Sequence, residues 1–112
     1  MGRRGEHMGE LEALVLTAVM RVGPRAHGMA VYQEIEARTG RDPGLTGVHV
    51  TLRRLEEKGL LVSEVGQPSK RGGRPRRFYD PTPDGVRALR KFQDMWKKAW
   101  RGLDLPEPEA LR

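Results

Sequence analysis

The feature that most restricts the fold is a loop of ten residues between two short runs of β-type residues. The loop, residues 66–75, is rich in glycine, proline and arginine, which are typical of exposed turns. The flanking runs are Leu60–Val65 and Arg76–Asp80, and their composition favours strands. This arrangement predicts a β-hairpin with a long, exposed tip.

Three helical segments precede the hairpin. Apolar residues recur every three or four positions over residues 10–22 and a Gly-Pro pair follows them, so the first helix is predicted over this range. The second helix is predicted over Met29–Thr39. Thr46 is the expected N-cap of a third helix that runs through Lys58, with Gly59 as its C-terminal cap.

One more helix follows the hairpin. The run Thr82-Pro83-Asp84 supplies an N-cap, a first-turn proline and an acid near the positive end of the helix dipole, and the apolar pattern reaches about Gly102. Because Pro81 lacks an amide hydrogen for the sheet, the second strand is expected to end at Asp80. Residues 104–112 contain two prolines and three acids without periodicity, which predicts a flexible acidic tail.

The predicted order is three helices, a strand, a basic loop, a strand and a long helix. It predicts a mainly α fold with a two-stranded β wing, which is a winged helix-turn-helix whose third helix is the recognition helix, plus a long C-terminal dimerisation helix. The expected segments are a disordered arm over residues 1–8, a winged-helix DNA-binding domain over 9–81, the dimerisation helix over 82–103 and the flexible tail over 104–112.

The charge balance indicates the kind of partner. The 112 residues include 21 Lys and Arg against 15 Asp and Glu, with a pI near 10.3. This favours a polyanion, with nucleic acid first and an anionic membrane surface second. Hydrophobic residues make up only 37%, so burial within one chain is expected to be marginal, and a homodimer would relieve the shortage. No apolar run has transmembrane length and the start lacks a signal pattern, so a soluble, cytoplasmic protein is expected.

The cations of the loop are the strongest local signal for a binding surface. Residues 70–77, which span the end of the loop and the start of the second run, hold five cations and no acid, and Gly73-Arg74-Pro75 resembles a hook that inserts an arginine into a narrow A·T minor groove. A charge run alone also fits a solvated hairpin tip. The polar face of the third helix favours the major groove. The predicted DNA-binding residues are Thr46, His49, Val50, Arg53, Arg54, Lys70, Arg71, Arg74, Arg76 and Arg77.

Trp96 and Trp100 lie four residues apart and present two indoles along one face of the last helix. Such a pair is typical of a packed dimer seam, and it also fits a pocket between protomers that admits a small planar aromatic effector. The sequence leaves both alternatives open. The predicted dimer-interface residues are Leu11, Val15, Val86, Leu89, Phe92, Trp96, Trp100 and Leu103.

The sequence offers no support for catalysis or metal binding. Cysteine is absent, which excludes disulfides and thiolate chemistry. The three histidines lie 20 and 22 residues apart, with no acid at ligand spacing. The two serines, Ser63 and Ser69, have no base nearby in the sequence. No enzymatic activity, metal or cofactor is expected.

Four motifs in order resemble the PadR family of bacterial transcriptional regulators, in its short form with a single C-terminal helix. They are Gly9–Leu16, His27-Gly28, Leu52–Leu61 and Gly72–Gly85. The resemblance implies a homodimer that binds a partly palindromic operator, with the last helix packed against the partner, and repression that a small molecule or another signal relieves. Two positions depart from the family pattern, which commonly has Tyr in place of His49 and Leu in place of Pro81.

Two other functions fit the same residues. A winged helix can dock on a protein instead of DNA, and a basic hook alone is compatible with an architectural DNA-binding protein without operator preference. Salt-dependent, sequence-selective DNA binding distinguishes a regulator from both.

Overall fold

The computed structural model describes residues 8–68 and 75–112. Its first three elements are the helices α1 (Glu10–Val22), α2 (Gly28–Thr39) and α3 (Leu45–Glu57). They are followed by the strands β1 (Leu61–Val65) and β2 (Arg77–Pro81), then by helix α4 (Pro83–Trp100) and a short 3-10 helix, Pro108–Ala110. The strands pair antiparallel, so the predicted mainly α fold with a two-stranded wing is confirmed.

One core joins the first three helices to the base of the hairpin. Each helix buries the face on which its apolar residues recur at helical spacing. From α4, only the half-buried Ala88 and Leu89 pack against this core. The winged-helix body is therefore packed almost without α4. The buried core residues are Val15, Leu16, Ala18, Val19, Ala26, Val31, Ile35, Val48, Leu52, Leu55, Leu60, Leu61 and Tyr79.

A buried ion pair ties the start of α1 to the end of α3. The carboxylate of Glu12 accepts hydrogen bonds from Nζ of Lys58 at 2.8 and 3.0 Å and from the N–H of Gly9 at 3.0 Å. Burial alone would raise the pKa of Glu12, but the hydrogen bonds from Lys58 and Gly9, together with the positive charges of Lys58 and Arg54, outweigh burial and hold the pKa below its ordinary value. The contact spans 46 residues of sequence, so no local pattern reveals it.

Helix α3 begins two residues earlier than expected, and Thr46 is not its N-cap. Gly44 occupies the cap position with φ +77°, a left-handed conformation that glycine adopts without strain. The carboxylate of Asp42 accepts the N–H of Gly44 at 2.9 Å and the hydroxyl of Tyr32 at 2.9 Å. This turn therefore fixes the start of α3, and Thr46 is left free and exposed in the first turn.

Strand β2 includes Pro81, contrary to the expectation that it ends at Asp80. Pro81 lies opposite Leu61, between the pair Val62–Asp80 and the hydrogen bond from Thr82 N–H to the carbonyl of Leu60. In an antiparallel ladder such a position has its amide directed away from the partner strand. The missing N–H of Pro81 therefore removes no bond to β1.

The start of α4 is fastened to the body. The hydroxyl of Thr82 accepts the N–H of Gly85 at 3.0 Å as the predicted N-cap, and it donates to the carbonyl of Gly59 at 2.7 Å. Gly85 is buried, and a Cβ added there would overlap the carbonyl of Leu60. Only glycine lets the first turn of α4 lie this close to the turn between α3 and β1.

The far end of α4 extends away from the body. The helix ends at Trp100, two residues before the expected Gly102, which has φ +75°. Beyond it, residues 101–112 are exposed throughout, and the predicted tail contains the 3-10 helix over Pro108–Ala110. Of the predicted N-terminal arm, residues 1–7 lie outside the described ranges, and Met8 packs against the core.

Candidate nucleic-acid interface

The outer face of α3 carries all of its predicted DNA-binding residues. The opposite face packs in the core through Val48, Leu52 and Leu55. Because residues three, four and seven positions apart share a helical face, the exposed set forms a continuous surface along the first three turns. This set is Thr46, His49, Val50, Arg53 and Arg54, all of which are exposed.

His49 lies directly against α2. A Cβ added at Gly28, the first residue of α2, would overlap the imidazole ring of His49. The absence of a side chain at Gly28 therefore sets how closely the first turns of α3 approach the start of α2. The motif His27-Gly28 contains a contact partner of the recognition helix.

His27 is the N-cap of α2, a role that sequence reasoning missed. Its Nδ1 accepts the N–H of Ala30 at 3.4 Å, and its Nε2 lies 3.3 Å from Nη1 of Arg76, just before β2. Partial burial lowers the pKa of His27, and the nearby guanidinium groups of Arg76 and Arg25 lower it further. The two permanent cations therefore disfavour protonation of the imidazole.

The ring of Phe78 on β2 joins the turn between α1 and α2 to the wing. The guanidinium carbon of Arg25 lies 4.1 Å from the ring centroid, a cation–π geometry, and the ring of His27 meets Phe78 edge-on at 6.0 Å. A Cβ added at Gly66 would overlap the ring of Phe78. Phe78 of the wing thus contacts both Arg25 and His27.

Arg77 points to the other side of the hairpin. Its Nη1 donates to the hydroxyl of Ser63 at 3.1 Å, and that hydroxyl donates to the carboxylate of Glu56 at 2.6 Å. The chain of bonds connects the wing to the last turn of α3. Of the predicted wing cations, Arg77 is therefore engaged within the protein, and Arg76 lies beside His27. Lys70, Arg71 and Arg74 lie outside the described residues.

A second surface is an apolar groove of about 700 Å³ between α1 and α4. Along α4 the aromatic rings follow one another, with Phe92 and Trp96 at 6.2 Å and Trp96 and Trp100 at 5.7 Å between centroids. Trp96 is 43% exposed and Trp100 is 65% exposed. The groove lining includes Ala13, Leu14, Thr17, Met20, Val86, Leu89, Phe92, Trp96 and Trp100.

The residues predicted for the dimer interface lie in different surroundings, and not all of them line the groove. Val15 is fully buried in the core of its own chain, so a partner cannot reach it, because the first helix turns this part of its stripe inward. Leu11 is half-buried against the same core, and Leu103 is exposed beyond the end of α4. The other five predicted residues line the groove.

None of the helices in the described part of the chain has the length and hydropathy needed to cross a bilayer. Within residues 8–68 and 75–112, no three His, Cys, Asp or Glu side chains are grouped so that they could hold a metal ion.

Comparison with known structures places the fold among transcriptional regulators. A PadR family transcriptional regulator from Eggerthella lenta DSM 2243 is 31% identical, with a TM-score of 0.66 over 83% of this chain and 81% of that one. A transcriptional regulator from Clostridium thermocellum is 21% identical, with a TM-score of 0.70 over 88% and 89%. A winged-helix DNA-binding protein from STIV is 16% identical, with a TM-score of 0.67 over 88% and 99%. A comparison with curated protein sequences gave no match.

The family comparison agrees with the fold. The model of the transcriptional regulator PadR-like family matches residues 15–91, which span the core of α1, the helix-turn-helix, the wing and the first half of α4. With a winged helix, two exposed arginines on α3 and this match, the chain belongs to the PadR-like family of transcriptional regulators.

Proposed function

We propose that this regulator is a homodimeric repressor that acts in the cytoplasm and binds a partly palindromic operator. The observation that carries the proposal is the single exposed surface formed by the outer face of α3 and the base of the wing, where His49, His27 and Arg76 follow one another. A recognition helix and a wing on one surface can contact adjacent grooves of duplex DNA.

The proposed roles of the two parts differ. Helix α3 enters the major groove, where Arg53 and Arg54 contact base edges and Thr46, His49 and Val50 lie alongside. The wing cations Lys70, Arg71, Arg74, Arg76 and Arg77 supply affinity through phosphates and the minor groove. Arginine contacts to guanine discriminate between bases, whereas phosphate contacts are independent of sequence.

The groove between α1 and α4 is the proposed dimer interface. Its exposed aromatic residues are contiguous, and a surface of this kind marks a site of protein association. A second copy of the chain supplies the same aromatic face in return, since a two-fold interface is self-complementary. The dimer then presents two α3 helices to two half-sites.

The proposal extends to an effector. Trp96 and its symmetry mate would line the centre of the interface, and Trp100 lies next to it, so a small planar aromatic compound can stack between the protomers. A compound that binds the dimer with different affinity in its DNA-bound and free forms shifts operator binding by that difference. The other outcome is that the indoles fill the interface themselves, and no compound then quenches tryptophan fluorescence saturably.

The experiment is a fluorescence-anisotropy titration of the purified protein with duplexes from its own upstream region and with random duplexes, at several salt concentrations. A repressor binds one duplex far more tightly, and its affinity falls as salt rises. Similar affinity for every A·T-rich duplex would identify an architectural protein. Absence of DNA binding would leave a protein-interaction module and overturn the proposal.

A further inference from the structure

Three side chains, Arg25, His27 and Arg76, form a cluster between α3 and the wing. Arg25 comes from the turn between α1 and α2, His27 from the start of α2, and Arg76 from the segment that enters β2. All three are at least partly accessible. The cluster was not predicted, since 49 residues separate His27 from Arg76.

Contacts within the chain hold the three side chains of the cluster in place without a ligand. Arg25 lies over the ring of Phe78, and His27 meets the edge of the same ring. The N–H of Tyr79 donates to the carbonyl of Ala26 at 2.8 Å, so the backbone of the turn is bonded directly to β2. Arg25 itself has φ +66°, a left-handed conformation that is uncommon for a residue with a long side chain. Such strained positions persist where the surrounding structure holds them.

Hydrogen bonding gives the imidazole a defined role. Because Nδ1 of His27 accepts the N–H of Ala30, the proton of the neutral ring is on Nε2. Nε2 lies 3.3 Å from Nη1 of Arg76, so two donors lie next to each other. An oxygen acceptor beside them, within hydrogen-bond distance of both nitrogens, satisfies both.

The charges point to the same kind of ligand. Within the described ranges, no carboxylate forms an ion pair with Arg25 or Arg76, and both guanidinium groups lower the pKa of the imidazole between them. Cations brought together without an acid repel one another, and an anion relieves that repulsion.

The position of the cluster identifies the anion. His27 precedes Gly28, against which His49 of α3 packs, and Arg76 is at the base of the wing. A sugar-phosphate strand separates the major groove from the adjacent minor groove, so a surface between a recognition helix and a wing faces that strand. We propose that Arg25, His27 and Arg76 together bind one backbone phosphate of the DNA duplex in each half-site. This inference rests on the proposed function.

The first test measures salt dependence. Arg25→Asn removes the cation, and asparagine tolerates the left-handed backbone of this position. We expect operator and random duplexes to be bound about tenfold more weakly, since one charge-assisted bond is lost, and the salt slope to fall by about 0.9. Arg101→Asn, at the exposed end of α4, is the matched control and leaves both quantities unchanged. An unchanged salt slope in Arg25→Asn would overturn the phosphate site.

The second test locates the phosphate. Operator duplexes that carry a single uncharged methylphosphonate at successive positions are bound by the wild type and by Arg25→Asn. One position per half-site should weaken binding by the wild type strongly and binding by Arg25→Asn less, because His27 and Arg76 still contact that phosphate. His27→Asn, which keeps a capping oxygen and lacks the Nε2 donor, should show partial loss at the same position. Equal additive losses at every position would refute the inference. Failure of the wild type to bind any duplex would refute the proposed function instead.

Discussion

Helices α3 and α4 are both amphipathic, but they expose opposite faces. Helix α3 buries Val48, Leu52 and Leu55 completely and exposes its polar and basic face. Helix α4 buries only Gly85 fully and leaves Trp96 and Trp100 accessible. The helical period is the same, so it does not tell which face is covered within the chain.

The difference follows from what surrounds each helix. Helix α3 is enclosed by α1, α2 and the hairpin, which supply enough apolar surface to cover its stripe. Helix α4 is attached to the body by its first two turns, through Thr82, Gly85, Ala88 and Leu89, and then runs past α1 with an apolar groove on one side. The uncovered face of α3 is therefore suited to a polyanion, and the uncovered face of α4 to another protein.

The largest expected effect tests the role assigned to α4. Trp96→Glu would bury a charge without a counterion in the proposed interface, at a cost of about 3–5 kcal/mol, so it should yield monomers and weaken operator binding a hundredfold or more. Trp96 is 43% exposed, so the monomer should keep its fold. Sedimentation velocity measures the oligomeric state, and circular dichroism measures whether the monomer keeps its fold. A dimer that survives this change would place the interface elsewhere.

The buried face of α3 gives the matching change. Leu52→Ala should lower the free energy of unfolding by about 2–5 kcal/mol, because it leaves a cavity where Leu52 is fully buried. Urea unfolding should show this loss at every protein concentration. If the loss of stability disappears at high protein concentration, then association of chains compensates for it, and α3 is not stabilised by its own chain alone.

The exposed face of α3 should determine sequence preference. Arg53→Ala should weaken binding to the operator by about 1–3 kcal/mol, the discrimination of a bidentate contact to guanine, and affect random duplexes much less. Competition titrations with both duplexes measure the difference. Equal losses of affinity for the operator and for random duplexes would show that Arg53 contacts a phosphate and not a base.

The smallest expected effect concerns the ion pair between α1 and α3. Because the folded-state pKa of Glu12 lies below the ordinary value of 4.5 for a glutamate, the contribution of the ion pair to stability is fully present above that pH and is lost as the pH falls through the folded-state pKa. Glu12→Gln should reduce the free energy of unfolding by about 1–2 kcal/mol at pH 7 and flatten its acid dependence. Unfolding curves at pH 7 and pH 4 check this, and an unchanged pH profile would contradict it.

Much of the fold was predictable because its signals are local. The Gly23-Pro24 stop of α1, the cap at Thr82 and the glycine-rich hairpin loop each depend on a few neighbouring residues. The predicted boundaries of α3 and β2 were wrong where a contact between residues further apart in the chain sets the end of the element. Asp42 fixes the start of α3 through Tyr32 and Gly44, and the ladder places Pro81 where its missing N–H has no consequence.

The sequence by itself determined the order of the elements, the polar face of α3 with its two arginines and the aromatic stripe of α4, since these follow from periodicity and composition along the chain. Tertiary structure alone decided that Val15 is turned into the core, that Glu12 meets Lys58 and that Arg25, His27 and Arg76 converge. These contacts join residues far apart in the chain, and their geometry exists only after the helices and the wing have packed.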